Sequence, residues 1–225
     1  MDEVSEREKA LASEIRKVYN SGNAKKAVEM SINFLKEFPE SLTARYLYSV
    51  MHGDYSAELG LTQEESKRCR EIANNGFQTL INDPDFKKWS WHFQFGVRNE
   101  YYWFFELHQE QYDLGIETIA TSEDGHYSAC VGASMLALKF LKERNIPLAE
   151  EWANKSFFHF EKYEKYMPDW YNINYFSSQS LACLGKYEEA LLCYKDMYRK
   201  QKSQVNEAEV AEFVAKMEEW KNYRK

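Results

Sequence analysis

Gly185-Lys186-Tyr187-Glu188-Glu189-Ala190-Leu191 reads as the turn of a helical hairpin. A glycine ends one helix because it adopts the left-handed backbone that other residues resist. Tyr187 is then placed to pack at the turn, and Ala190 is small enough to let the second helix approach the first closely. The same punctuation occurs in Gly22-Asn23-Ala24-Lys25-Lys26-Ala27, and Pro39, in Phe38-Pro39-Glu40-Ser41, separates that hairpin from the next because proline cannot continue a helix. Weaker turns follow at Gln111-Tyr112-Asp113-Leu114-Gly115, with Gly115 as the small residue, and at Asn145-Ile146-Pro147-Leu148-Ala149, where Pro147 suits a first helical turn. Gly115 and Ala149 are 34 residues apart, and Ala149 and Ala190 are 41 apart. The 88 residues from Ala27 to Gly115 leave room for two enlarged units. The additional unit has helices expected at 42–58 and 63–82, a turn at Leu59-Gly60-Leu61-Thr62, and a capping box from Thr62 and Glu65.

The composition agrees with a helical reading. Only 9 Gly and 4 Pro occur in 225 residues, too few for an all-β chain that turns every ten residues or so. A hydrophobic fraction of 44% supports a core. Leu11, Ile15, Val18 and Tyr19 share one helix face, as do Val28, Ile32 and Leu35. Asn206 and Glu209 form a capping pattern ahead of an apolar stripe of Val210, Phe213, Val214 and Met217, opposite Glu207, Glu212, Glu218 and Lys221. That is the pattern of a helix closing the end of a stack.

These turns resemble the tetratricopeptide-repeat (TPR) family. In the first unit Gly22, Asn23, Ala27 and Pro39 carry the likeness, with Phe34 where a second alanine is usual. In the last unit Gly185, Tyr187, Ala190 and Tyr194 carry it. Lys202 stands in place of the closing proline, which suggests that the final hairpin helix runs on. The step of 34 residues equals the TPR period. The resemblance implies an all-α fold, an α-α superhelix of about five hairpins plus a C-terminal capping helix. The expected organisation is a single domain over 1–225, with repeats at 1–40, 41–86 (enlarged), 87–122, 123–167 and 168–203 and the cap at 204–225.

The same resemblance implies a non-catalytic adaptor or scaffold that binds a protein or peptide along a concave groove lined by the first helix of each hairpin. Carried over by register, the groove positions are Asn172, Tyr175, Phe176 and Gln179, then Ser134 and Leu138 alongside Val131 and Met135, then Glu100 and Phe104. In the first unit they are Lys9, Arg16 and Asn20. Two cations and an amide in that unit suit a carboxylate, as in carboxylate-clamp members of the family. Val131 and Asn172 occupy later positions where that clamp needs basic residues, so the set is incomplete. Two other functions stay open: a structural subunit of a larger assembly, and an all-helical enzyme or small-ligand sensor.

Chemistry-bearing motifs are sparse. No GxSxG, phosphate loop or kinase signature occurs, and no catalytic residue, metal ligand or cofactor is expected. His52, His92, His108, His126 and His159 never pair at helical spacing, and Cys69, Cys130, Cys183 and Cys193 form no CxxC. Arg45 and His52 faintly resemble the Arg…His pair of HEPN-type ribonucleases, but Leu47 replaces the polar residue usual there. Asp83-Pro84-Asp85 reads as a helix-ending turn that caps the next helix. A net charge of −7 argues against nucleic acid as a partner. The start Met1-Asp2-Glu3-Val4-Ser5-Glu6 lacks a basic, apolar leader, and no apolar run approaches a membrane span of roughly 18 residues. The expectation is a cytoplasmic protein without a membrane partner. The aromatic stretches Trp89–Phe95 and Tyr101–Phe105 are apolar on every side, which predicts a helix buried from several directions or an aromatic grip on a ligand.

Overall fold

A computed structural model describes residues 5–58 and 60–224. Leu59, within one of the expected turns, and the residues before Ser5 lie outside the described residues. The described residues are all-α, with no strand among them: α1 (Glu6–Asn20), α2 (Ala24–Glu37), α3 (Leu42–Tyr55), α4 (Gln63–Ile81), α5 (Trp91–Phe104), α6 (His108–Ile119), α7 (Asp124–Lys142), α8 (Ile146–Tyr166), α9 (Asn172–Cys183), α10 (Tyr187–Gln201) and α11 (Glu207–Tyr223). A single 3-10 turn, Phe86–Lys88, precedes α5. None of the described helices is long and apolar enough to cross a membrane.

Local chemistry accounts for the helix ends. Ser5 with Glu8 and Thr62 with Glu65 form reciprocal capping boxes at α1 and α4. The side chains of Asn23, Ser41, Ser90, Asn145 and Asn206 cap α2, α3, α5, α8 and α11 by accepting first-turn amides. Gly22 (φ 81°) and Gly185 (φ 80°) stand in the left-handed region between the paired helices, the conformation their sequence context demands. α10 does not run on. It stops at Gln201 because Lys202 itself turns left-handed (φ 55°), which ends the helix without a proline. At Asp83-Pro84-Asp85, the Asp83 carboxylate accepts the Asp85 amide at 2.8 Å in a local turn, and Asp85 gives no side-chain cap to the following 3-10 turn.

The chain divides into two compact units, Met1–Phe105 and Glu106–Lys225. The division falls inside the expected 87–122 repeat, with α5 in one unit and α6 in the other. In the first unit, Ile15 of α1 packs with Ala27, Val28 and Phe34 of α2 and with Ala44, Leu47 and Met51 of α3. A second cluster joins Ala73, Phe77 and Leu80 of α4 to Val97 of α5, flanked by Tyr46, Trp89, Phe93, Tyr101, Phe104 and Phe105. α5 is not buried all round: Val97 alone among its residues is fully buried, and Trp91 and Trp103 are each 37% exposed.

In the second unit α7 is buried along most of its length. Its core continues through Ala149 and Ala153 of α8, Leu181 and Ala182 of α9 and Ala190, Tyr194 and Tyr198 of α10 to Val210, Phe213, Met217 and Trp220 of α11. Phe213 stacks on Tyr194 with ring centroids 4.2 Å apart. Glu207, Glu212 and Glu218 remain exposed on the opposite side of α11.

Candidate functional site

The register-based positions fall into two classes. In the second unit most lie inside the protein. Ser134 (0% exposed) donates its hydroxyl to the Phe176 carbonyl at 2.9 Å. The Gln179 amide (1% exposed) donates to the Ser134 carbonyl at 3.1 Å and to its hydroxyl at 3.0 Å. Phe176 and Leu138 are buried, and Tyr175 is half-buried against Tyr194 and Phe213. Asn172 is exposed at the start of α9. Ser134, Leu138, Phe176 and Gln179 therefore fasten α9 to α7 and are not open to a partner. The physical reason is that α9 is covered by α7, α8 and α10, so its polar residues are satisfied internally.

A directional consequence follows. Gln179→Ala leaves the Ser134 carbonyl without that amide, and chemical denaturation should show a loss of about 1–2 kcal/mol. An unchanged midpoint would place Gln179 outside the packing network.

The same unit holds a buried ionic network. The Lys200 ammonium donates to the Glu164 carboxylate and to the Asn174 side-chain carbonyl, each at 2.9 Å, while the Asn174 amide reaches the Cys193 carbonyl at 3.2 Å. Its charges and donors are mutually satisfied, which fits a fastening of α8, α9 and α10.

The first unit presents the open site. A concavity of about 830 Å³ is lined by Lys9, Ala12, Ser13, Arg16, Lys17, Asn20 and Ser21 of α1 and its cap, with Thr43 of α3. Lys9, Arg16 and Asn20, the three first-unit positions expected from register, all line it. Helical spacing puts Lys9, Ser13, Arg16 and Asn20 on one stripe of α1. Lys9 also meets the exposed Glu6 at 2.8 Å.

The same unit holds a group of acidic and phenolic side chains from α1, α3 and α5. Asp54, in the last turn of α3, lies close enough to Tyr19 of α1 for each to influence the other's titration. Burial pushes the Asp54 carboxyl up to about 6, with nearby Glu58 adding to the effect and Tyr19 opposing it. Glu100 of α5 is pushed up to about 7, first by burial and then by the Asp54 charge. Burial and the Asp54 charge raise the Tyr19 phenol to about 12. The Tyr46 hydroxyl lies about 4.0 Å from where a side chain on Gly96 would begin, one turn of α5 before Glu100. Burial raises the Tyr46 phenol, Glu100 raises it further, and Arg16 opposes the rise. Thus Tyr19 of α1, Asp54 and Tyr46 of α3 and Glu100 of α5 influence one another electrostatically.

Phe104, the other third-unit position, is not free: its ring packs on Phe77 at 5.8 Å and sits against Gly53. Asp54, Tyr19 and Tyr46 were not expected at the site. A raised carboxyl arises from three helices converging, and no spacing in the chain announces it.

Other chemistry-bearing residues are engaged separately. Arg45 donates to the Pro39 carbonyl at 2.9 Å and pairs with Glu40 at 2.7 Å, whereas His52 is buried with Nδ1 donating to the Tyr48 carbonyl at 2.7 Å. Burial pushes the thiols of Cys130 and Cys183 up to about 12, far from the thiolate form a nucleophile needs. Among the described residues no group of three or more His, Cys, Asp or Glu is placed to hold a metal ion. Compared with family models, with curated proteins and with solved structures, the chain matches none.

Proposed function

We propose that this chain is a non-catalytic protein- or peptide-binding module of the TPR-like type, an adaptor or scaffold that takes a partner segment on the α1–α3 face of its first unit. The observation that carries this reading is the open concavity whose lining includes Lys9, Ser13, Arg16, Lys17, Asn20 and Thr43. Arg16 has no ion-pair or hydrogen-bond partner among the described residues, so its guanidinium keeps its full donor set for a ligand. Exposed side chains on rigid helices favour this role because little ordering is needed on binding. The hairpin turns at Gly22 and Gly185 and the small contact residues Ala27, Gly115 and Ala190 support the TPR-like part of the proposal.

Selection of a phage-displayed library of random 12-residue peptides on the immobilised protein tests this. Enriched peptides should bind the unaltered chain at least about tenfold more tightly than a Lys9→Ala/Arg16→Ala variant of the same helicity, on the scale of one charge-assisted hydrogen bond. Equal binding to both, or no enrichment, removes the proposal.

A further inference from the structure

Resting on that binding role, we propose that the α1–α3 concavity recognises a phosphorylated side chain, a phosphoserine or phosphothreonine within the partner segment.

The lining carries cations and donors but no acid. Lys9, Arg16 and Lys17 supply positive charge, Ser13, Ser21 and Thr43 supply hydroxyls, and Asn20 supplies an amide. No Asp or Glu is among the lining residues, a local reversal of sign in a chain of net charge −7. Helical spacing builds the set. Lys9, Ser13, Arg16 and Asn20 form one row of α1, Lys17 and Ser21 follow Ser13 in the next, and Ala12 is the small buried residue beside them. Thr43 joins them from α3, whose Ala44 and Leu47 share a packed core with Ile15 of α1.

Most of these donors are unengaged. Among the described residues the side chains of Ser13, Arg16, Lys17, Asn20 and Thr43 make no hydrogen bond or ion pair. The sequence gives the reason for Arg16: its neighbours three and four residues away are Ala12, Ser13, Tyr19 and Asn20, none of them acidic. Lys17 has Glu14 three residues before it, but that carboxylate lies outside the lining. Two lining residues are engaged. Ser21 donates to the Val18 carbonyl at 2.7 Å. Lys9 meets Glu6, and because both side chains are exposed a ligand displaces that contact at little cost.

This set exceeds what one carboxylate uses. A carboxylate brings two oxygens and one charge. A phosphomonoester brings three terminal oxygens and a charge of about −1.5 to −2 at pH 7. The Arg16 guanidinium can take two of those oxygens as a fork, and Lys9 and Lys17 balance the second charge. The hydroxyls of Ser13 and Thr43 and the Asn20 amide then serve the third oxygen and the flanking peptide carbonyls.

The peptides enriched from the random library serve as the probe. Each should carry an Asp or Glu as the nearest unphosphorylated equivalent. Resynthesis with phosphoserine at that position should tighten binding about tenfold or more in fluorescence anisotropy. Arg16→Ala/Lys17→Ala should erase that gain, and Thr43→Val should reduce it about threefold. Lys26→Ala removes an exposed cation of α2 outside the lining and should leave the gain intact, with all variants checked for equal helicity. Three results overturn the phosphate proposal and leave the binding role standing: enriched peptides without an acidic residue, a phosphoserine peptide bound no better than its acidic parent, or a gain that Lys26→Ala erases as fully as Arg16→Ala/Lys17→Ala. Absence of any enriched peptide removes both.

Discussion

Gly115→Val is expected to unfold the second unit. A side chain begun at Gly115 meets the Ala129 backbone nitrogen at 2.4 Å, its methyl at 2.7 Å and the Gly125 carbonyl oxygen at 2.7 Å. These obstacles are mostly backbone of α7 and cannot rotate away. The contact is reciprocal, since a side chain begun at Gly125 would meet the Gly115 carbonyl oxygen at 2.5 Å and one begun at Gly132 the Tyr112 nitrogen at 2.6 Å. α6 and α7 therefore touch backbone to backbone along several turns. Separating them opens a helix whose other sides are already buried, so relief in one direction creates strain or voids in another. The loss should be at least about 3 kcal/mol, read as a shift in the urea unfolding curve by circular dichroism. Gly96→Ala is the matched control: its nearest neighbour is 4.0 Å away, and replacing a mid-helix glycine there should be neutral or stabilising by up to about 1 kcal/mol. A folded Gly115→Val protein of normal stability would contradict the close approach.

Acidification should move the two units in opposite directions. In the second unit, Nδ1 of His126 and Nδ1 of His159 are 2.8 Å apart in a buried site, so one hydrogen serves both rings. His126 also lies 3.4 Å from Glu123, and Tyr112 and Phe158 face His159. Burial, reinforced by the neighbouring imidazole, holds His159 down at about 4, and burial lowers His126 as well. The unfolded chain therefore binds protons that the folded unit refuses. Stability is full above the ordinary histidine value of 6.5 and falls as pH drops toward 4, by on the order of 3 kcal/mol for His159.

In the first unit the sign reverses. Glu100 and Asp54 are raised to about 7 and about 6, so the folded state takes up protons before the unfolded chain does. Their contribution is fully present below ordinary carboxylate values and is lost as pH rises through 6 and 7. Between pH 7.5 and 5, hydrogen-exchange protection corrected for intrinsic rates should rise in α1, α3 and α5 and fall in α7 and α8. His126→Leu/His159→Leu should flatten the acid loss. Parallel changes in both units would refute this assignment.

The polar residues of α9 show where sequence reading failed. Ser177, Ser178, Gln179 and Ser180 look like surface in one dimension, yet each is almost wholly buried. Ser180 reaches the Ser156 hydroxyl at 2.8 Å, and Gln179 reaches Ser134 across 45 residues of chain. Helical period says which residues share a face; it does not say whether another helix covers that face. By contrast Lys9, Arg16 and Asn20 were placed on one face by the register carried over from the resemblance, and that face carries the concavity.

The turn residues with which the sequence opened determine their own structure. Gly22 and Gly185 take left-handed backbone and the capping boxes start α1 and α4, because each depends on atoms within a few residues. Tertiary structure alone decided that the chain forms two compact units, that the α9 amides turn inward, and that Asp54 and Glu100 share one desolvated neighbourhood. Burial and electrostatic coupling are properties of what surrounds a group in space, and residues 46 positions apart become neighbours only when α3 and α5 have packed.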